Sequence, residues 1–151
     1  MRVSVIGGGR VDDRTYGVAR ELGERLAERG HAVVCGGYGG VMEAVCRGAK
    51  LRDGRTIGIL KGERPDEGNE YLDVPIATGM GNARNTLVVL NGDAVVAVDG
   101  GTGTLSELGL ALDFGKPVAG LGTHDLTEFD GFEAVNTVED AIASVERRSR
   151  A

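Results

Sequence analysis

Three glycine clusters punctuate this 151-residue chain: Gly7-Gly8-Gly9, Gly36-Gly37-Tyr38-Gly39-Gly40 and Gly100-Gly101-Thr102-Gly103-Thr104. A glycine-rich turn that opens a helix exposes backbone N–H groups at the positive end of the helix dipole, so its natural ligand is an anion, above all a phosphate. The named phosphate loops do not fit. Gly100 to Glu107 lacks the Gly-Lys-Ser/Thr ending of a P-loop, and Gly7 to Asp12 and Gly101 to Ser106 each lack the third glycine of the dinucleotide fingerprint. A monophosphate is therefore expected. Each cluster alone also reads as a tight strand-to-helix turn; three on one sheet edge point to a site.

Two charged residues stand near these clusters with two readings each. Glu107 closes a Thr104-Leu105-Ser106-Glu107 capping box, in which its carboxylate would bond the Thr104 N–H. It is also about one helical turn from the loop, where it could stabilise oxocarbenium-like charge during cleavage of a nucleotide at C1′. Arg84, in an expected helix from Asn82 to Leu90, has Leu87 and Val88 three and four residues on, which places it on the apolar face. There it either requires an anionic partner, the phosphate or Glu107, or snorkels to solvent. Neither histidine, His31 nor His124, has a ligand-spaced partner, and Cys35 and Cys46 lie in no zinc or Cys-x-x-Cys spacing, so no metal site is expected and the cysteines read as buried small residues. The three lysines, Lys50, Lys61 and Lys116, sit in no pyridoxal-type motif.

The elements that must position these residues alternate between β-branched runs and amphipathic stretches, the pattern of βαβ units around a parallel sheet. Strands are expected at 3–6, 32–35, 56–60, 74–77, 94–98 and 117–121, and helices at 16–29, 41–51, 82–90, 104–114 and 138–147. The fully apolar Ala94-Val95-Val96-Ala97-Val98 reads as a central strand covered on both faces, and Pro75 demotes the fourth strand toward an edge. Lys61 to Tyr71 is polar and reads as an exposed loop, with a lid as one possibility; a further loop is expected through Gly131. The whole chain, 1–151, is expected to be one Rossmann-like α/β domain with a mainly parallel sheet of about six or seven strands in an α/β/α sandwich.

Charge and composition narrow the function. With 23 acidic against 17 basic residues and a net charge of −6, the chain offers no global basic field for nucleic acid, and the basic run Arg147-Arg148-Ser149-Arg150 reads as a solvated helix end. No apolar run reaches bilayer length and the first residues lead directly into a strand pattern without a signal-peptide core, so no membrane partner and a cytoplasmic location are expected.

Gly100-Gly101-Thr102-Gly103-Thr104-Leu105-Ser106-Glu107 resembles the Gly-Gly-x-Gly-Thr-x-x-Glu signature of the Lonely Guy proteins, often mislabelled as lysine decarboxylases, and of the related molybdenum-cofactor carrier proteins. Met80 to Asn85 is similar to that family's Met-His-x-Arg-Lys segment, and Cys35 to Met42 to its second glycine loop. The resemblance covers nearly the whole chain. It implies a Rossmann-like fold, a homodimer or higher homo-oligomer, and, in the Lonely Guy branch, a phosphoribohydrolase that releases base and ribose 5-phosphate from a nucleoside 5′-monophosphate, with Arg84 and Glu107 matching the catalytic pair. The glycines at 8, 9, 36, 37, 39, 40, 100, 101 and 103, with Thr102 and Thr104, then hold the phosphate, and no added cofactor is required. Asp99, Gly81 and Asn85 replace the family's proline, histidine and lysine, which brings the chain nearer the carrier-like branch. The alternative implied is a non-catalytic carrier of a phosphate-bearing cofactor such as the molybdenum cofactor.

Overall fold

The computed structural model describes residues 1–150. Strand β1 (Arg2–Gly7) leads to α1 (Asp13–Glu28), β2 (Ala32–Cys35), α2 (Val41–Lys50) and β3 (Thr56–Leu60). A short 3₁₀ turn, Pro65–Glu67, precedes β4 (Val74–Ala77), and a second, Gly81–Arg84, runs into α3 (Asn85–Leu90). The chain continues through β5 (Ala94–Val98), α4 (Thr102–Asp113), β6 (Val118–Leu121), β7 (Phe132–Val135) and α5 (Val138–Ser149).

All seven strands are parallel, in the order β4-β3-β2-β1-β5-β6-β7. The period-2 alternation of a strand divides β5 between two cores. Ala94, Val96 and Val98 pack with Ala19 and Leu22 of α1, Val45 of α2 and Ile142 of α5, while Val95 and Ala97 pack with Val88 and Val89 of α3 and Leu108 of α4. Full burial on both faces explains why this strand is uniformly apolar. Pro75 lies on the outermost strand, where its missing N–H has no further ladder to serve. Buried Ser4 of β1 is satisfied by donating its hydroxyl to the Val88 carbonyl at 2.6 Å.

From β1 the chain steps outward through β2, β3 and β4 and then returns to the other side of β1 as β5. The loops leaving β1 and β5 therefore diverge, and the crevice between them is the topological switch point where open α/β sheets bind ligands.

Five expectations differ from the structure. Helix α1 starts three residues early, at Asp13, with the Asp12 side chain as its N-cap, and the start of the helix expected at 82–90 is the 3₁₀ turn that carries Arg84. Phe132–Val135, between the expected loop and α5, is a seventh strand, paired with β6 from Val118↔Phe132 to Leu121↔Val135. Helix α4 starts two residues early, at Thr102, because Gly101 occupies its N-cap. The C-terminal basic run is not all solvated: Arg148 donates to the carbonyls of Gly131 at 2.6 Å and Val118 at 2.8 Å, and to Ser144 Oγ at 2.7 Å, pinning α5 to the starts of β6 and β7.

Candidate anion-binding cleft

A cleft of about 450 Å³ opens at the C-terminal edge of the sheet, within the range of small-ligand sites. It is lined by Gly7, Gly8 and Gly9 after β1, Gly36 after β2, Lys61 after β3, Arg84 and Asn85 at the start of α3, and Gly101 to Thr104 with Glu107 on α4. Three turns distant in sequence converge there because every strand of a parallel sheet ends on the same edge. A larger cleft, about 700 Å³, lies on the opposite face between α1 and α5. Asp12, Glu21, Asp99 and Glu139 line it against Arg14 alone among basic residues, an unfavourable wall for an anion.

Not all of the glycines expected to bind phosphate line the cleft. Gly37, Gly39, Gly40 and Gly100 are not part of its lining. Gly40 has φ +62°, and a Cβ there would lie 2.2 Å from the Gly8 carbonyl oxygen, so it allows the first two glycine loops to touch. Gly100, at φ +111°, leaves room for the Thr104 hydroxyl. These two shape the loops that present the other glycines.

Gly101 provides no side-chain cap for α4. The first N–H groups of an α-helix have no intrahelical acceptor, so those of Thr102, Gly103 and Thr104 face the cleft with the positive end of the helix dipole behind them. His124 Nε2 donates to the Gly101 carbonyl at 2.9 Å and ties this loop to the segment after β6. The earlier start of α4 dissolves the expected capping box: Thr104 is the third helical residue rather than the cap, and Glu107 makes no hydrogen bond among the described residues. Its half-buried carboxyl points into the cleft instead.

Arg84 is 6% exposed, which decides between its two readings in favour of burial. Its Nε donates to the Ile59 carbonyl at 2.8 Å and its Nη1 to Asn85 Oδ1. Burial lowers the guanidinium's proton affinity, opposed chiefly by attraction to Glu107. Burial in turn pushes the Glu107 carboxyl up to about 7, with Arg84 pulling it back. The two influence one another through space without forming an ion pair, and for both groups desolvation outweighs attraction.

Sequence reasoning misses several polar lining residues, namely Lys61, Asn82, Asn85 and Ser106, of which Lys61 and Asn85 carry free donors. Lys61 begins the expected exposed loop and Asn85 stands where the family motif has lysine, yet both line the cleft. Lys61 immediately follows β3, so its place at the strand's C-terminal end was the available signal. The loop after it is tied to the second glycine cluster: Tyr38 Oη accepts from the N–H groups of Lys61 at 2.9 Å and Gly62 at 3.3 Å, and Asn69 Nδ2 donates to the Tyr38 carbonyl at 3.0 Å. Cys35 and Cys46 are buried as expected, with their sulfurs 3.5 Å apart; the hydrogen bond with Cys35, followed by burial, raises the Cys46 thiol.

Residues 1–148 match the SLOG cluster4 family. The chain belongs to that family. An uncharacterized protein of Archaeoglobus fulgidus is 44% identical over 142 residues, covering 94% of this chain and 92% of the relative. Among solved structures, the molybdenum cofactor binding protein of the phototrophic bacterium Rippkaea orientalis superposes with a TM-score of 0.91 at 35% identity, covering 97% of this chain and 96% of that one. The molybdenum cofactor carrier protein of Chlamydomonas reinhardtii does so with a TM-score of 0.92 at 34% identity, covering 99% of each. Both superpositions share the Rossmann-like α/β architecture described above. Both solved relatives belong to the carrier side of the resemblance rather than to the Lonely Guy side. No helix among the described residues is long and apolar enough to cross a membrane.

Proposed function

We propose that this protein binds and carries a phosphate-bearing organic cofactor, with the molybdenum cofactor as its cargo. The observation that carries the reading is the uncapped N-terminus of α4 facing, across one cleft, a buried Arg84 that forms no ion pair among the described residues. Open N–H groups and a desolvated guanidinium both favour an anion, and Glu107, the one carboxyl in the cleft, forms no ion pair with Arg84 and holds its proton up to about pH 7. In this reading Gly8, Gly9, Gly36, Gly101, Thr102, Gly103 and Thr104 form the phosphate cradle, and the likeness to the molybdenum cofactor proteins of Rippkaea and Chlamydomonas supports the choice of cargo. The test mixes the purified protein with molybdenum cofactor freshly released from a molybdoenzyme and follows molybdenum and pterin through gel filtration. Co-elution that millimolar phosphate displaces supports the reading; elution of both with small molecules overturns it.

A second reading, phosphoribohydrolase activity, is favoured by Glu107. A carboxyl with no protein partner, one turn into α4 and ionising near neutrality, could stabilise positive charge at a ribose whose phosphate sits at the helix end. Incubation with AMP, CMP, GMP and IMP tests it by release of free base. A cytoplasmic homodimer completes the proposal; exposed Leu90, Leu105 and Phe114 on the α3–α4 side supply apolar surface for self-association, which sedimentation measures.

A further inference from the structure

The open end of α4 is not the cleft's only set of free donors. Arg84 engages Nε and Nη1 within the protein, but among the described residues its Nη2 has no acceptor. That nitrogen lies against Gly36, where a Cβ would come within 2.7 Å of it, so the glycine holds the approach to the guanidinium open. Asn85 is 8% exposed; its Oδ1 accepts from Arg84, which leaves Nδ2 without an acceptor among the described residues. Lys61 completes the set. Its Nζ stands 5.1 Å from the centre of the Tyr38 ring, and the Arg84 guanidinium carbon stands 5.9 Å from the same ring.

Two cations around one aromatic ring, neither in an ion pair among the described residues, are an unusual arrangement in a chain that carries 23 acidic residues. The ring faces of Tyr38 soften the repulsion but do not cancel the charge. Neither nitrogen is sealed from water, since Ser149 Oγ is the only buried side-chain polar atom without a partner among the described residues; both open onto the cleft, where an anion replaces water as their acceptor. These donors gather over the ends of β2 and β3, whereas the open helix end follows β5. In the order β3-β2-β1-β5, with about 4.8 Å between neighbouring strands, the two sets are separated by roughly 10–14 Å.

We propose that Lys61, Arg84 Nη2 and Asn85 Nδ2 form a second oxyanion pole, and that the ligand class of the cleft is an organic phosphate with a second acid group at its opposite end. This rests on the phosphate-binding reading of the α4 pole and adds to it a specificity determinant in Lys61. A ligand with one acid group satisfies one pole and leaves the other solvated. A ligand with two satisfies both, and each added charge-assisted contact strengthens binding.

Fructose 6-phosphate and fructose 1,6-bisphosphate make a direct probe, because the pair differs only by a phosphate at the far end of a six-carbon frame. Calorimetric titration of the purified protein should show the bisphosphate binding about tenfold or more tightly, the scale of one charge-assisted hydrogen bond. The readout is the ratio of the two affinities. Lys61→Gln should bring that ratio to about twofold or less and Lys61→Arg should retain most of it, since either keeps a hydrogen-bond donor but only arginine keeps the charge. The Lys61 side chain is exposed, so a thermal midpoint near wild type should accompany both changes. Monophosphate binding without any gain from the second phosphate overturns the second pole alone, as does a ratio that Lys61→Gln leaves unchanged. Failure of fructose 6-phosphate itself to bind removes the α4 pole, and the second pole falls with it.

Discussion

Replacing Glu107 by glutamine should make this protein more stable at pH 8 and leave it nearly unchanged at pH 4. The carboxyl sits half-buried in the cleft without a hydrogen-bond partner among the described residues, and its proton is held until about pH 7 against an ordinary value of 4.5. The cause is burial, which Arg84 only partly offsets. A folded-state value above the unfolded one means that the folded protein holds a proton the unfolded chain has released between about 4.5 and 7. Stability is therefore fully present below that window and is lost as pH rises through it, by about 3 kcal/mol once the group is ionised in both states. Glutamine matches the neutral carboxyl in shape and never ionises, so the variant's profile should lack this fall. Urea unfolding at the two pH values is the assay. At about 2 kcal/mol per molar urea, the variant's midpoint should exceed wild type by about 1 M or more at pH 8. Midpoints that decline in parallel would refute the assignment of a buried, unpartnered carboxyl. The same change separates the two functional readings: a carrier keeps its ligand and loses only pH sensitivity, whereas a phosphoribohydrolase loses about a hundredfold or more of its turnover.

Gly40→Ala should destabilise the fold by about 3 kcal/mol or more in urea unfolding, because φ is +62° and the new Cβ would meet the Gly8 carbonyl oxygen at 2.2 Å. Gly101→Ala, at φ −108° with nothing within 4 Å of the added Cβ, should change stability by less than about 1 kcal/mol. Arg148→Met keeps the aliphatic stem but removes donors to the Gly131 and Val118 carbonyls, and thermal unfolding should report a loss of about 1–3 kcal/mol. Ser4→Ala removes a buried hydrogen bond to the Val88 carbonyl and should cost about 1–2 kcal/mol, read from the urea midpoint.

Much of the architecture is encoded within a few residues of each position. The apolar run of β5, the four-residue spacing of Val18, Leu22 and Leu26 in α1, and the proline in β4 each state a local environment, and local sterics and burial suffice to read it. The glycine clusters likewise mark strand ends, and a parallel sheet has only one edge on which those ends can meet. Strand β7 escaped this reasoning because four residues with only one buried hydrophobic carry little periodicity; pairing with β6 selects them. The start of α4 is not legible in the sequence because Thr104-x-x-Glu107 is a valid cap locally, whereas the helix begins at Thr102, and this frees Glu107 for the cleft. Arg84 could have faced solvent or the interior until β3 brought the Ile59 carbonyl to its Nε. Lys61 joined the site only because the strand order places the ends of β3 and β2 beside the start of α3. Periodicity and turn chemistry act over a handful of residues and are legible in the chain itself. Which donors remain unpaired, and what they face, depends on groups that only the folded sheet brings together.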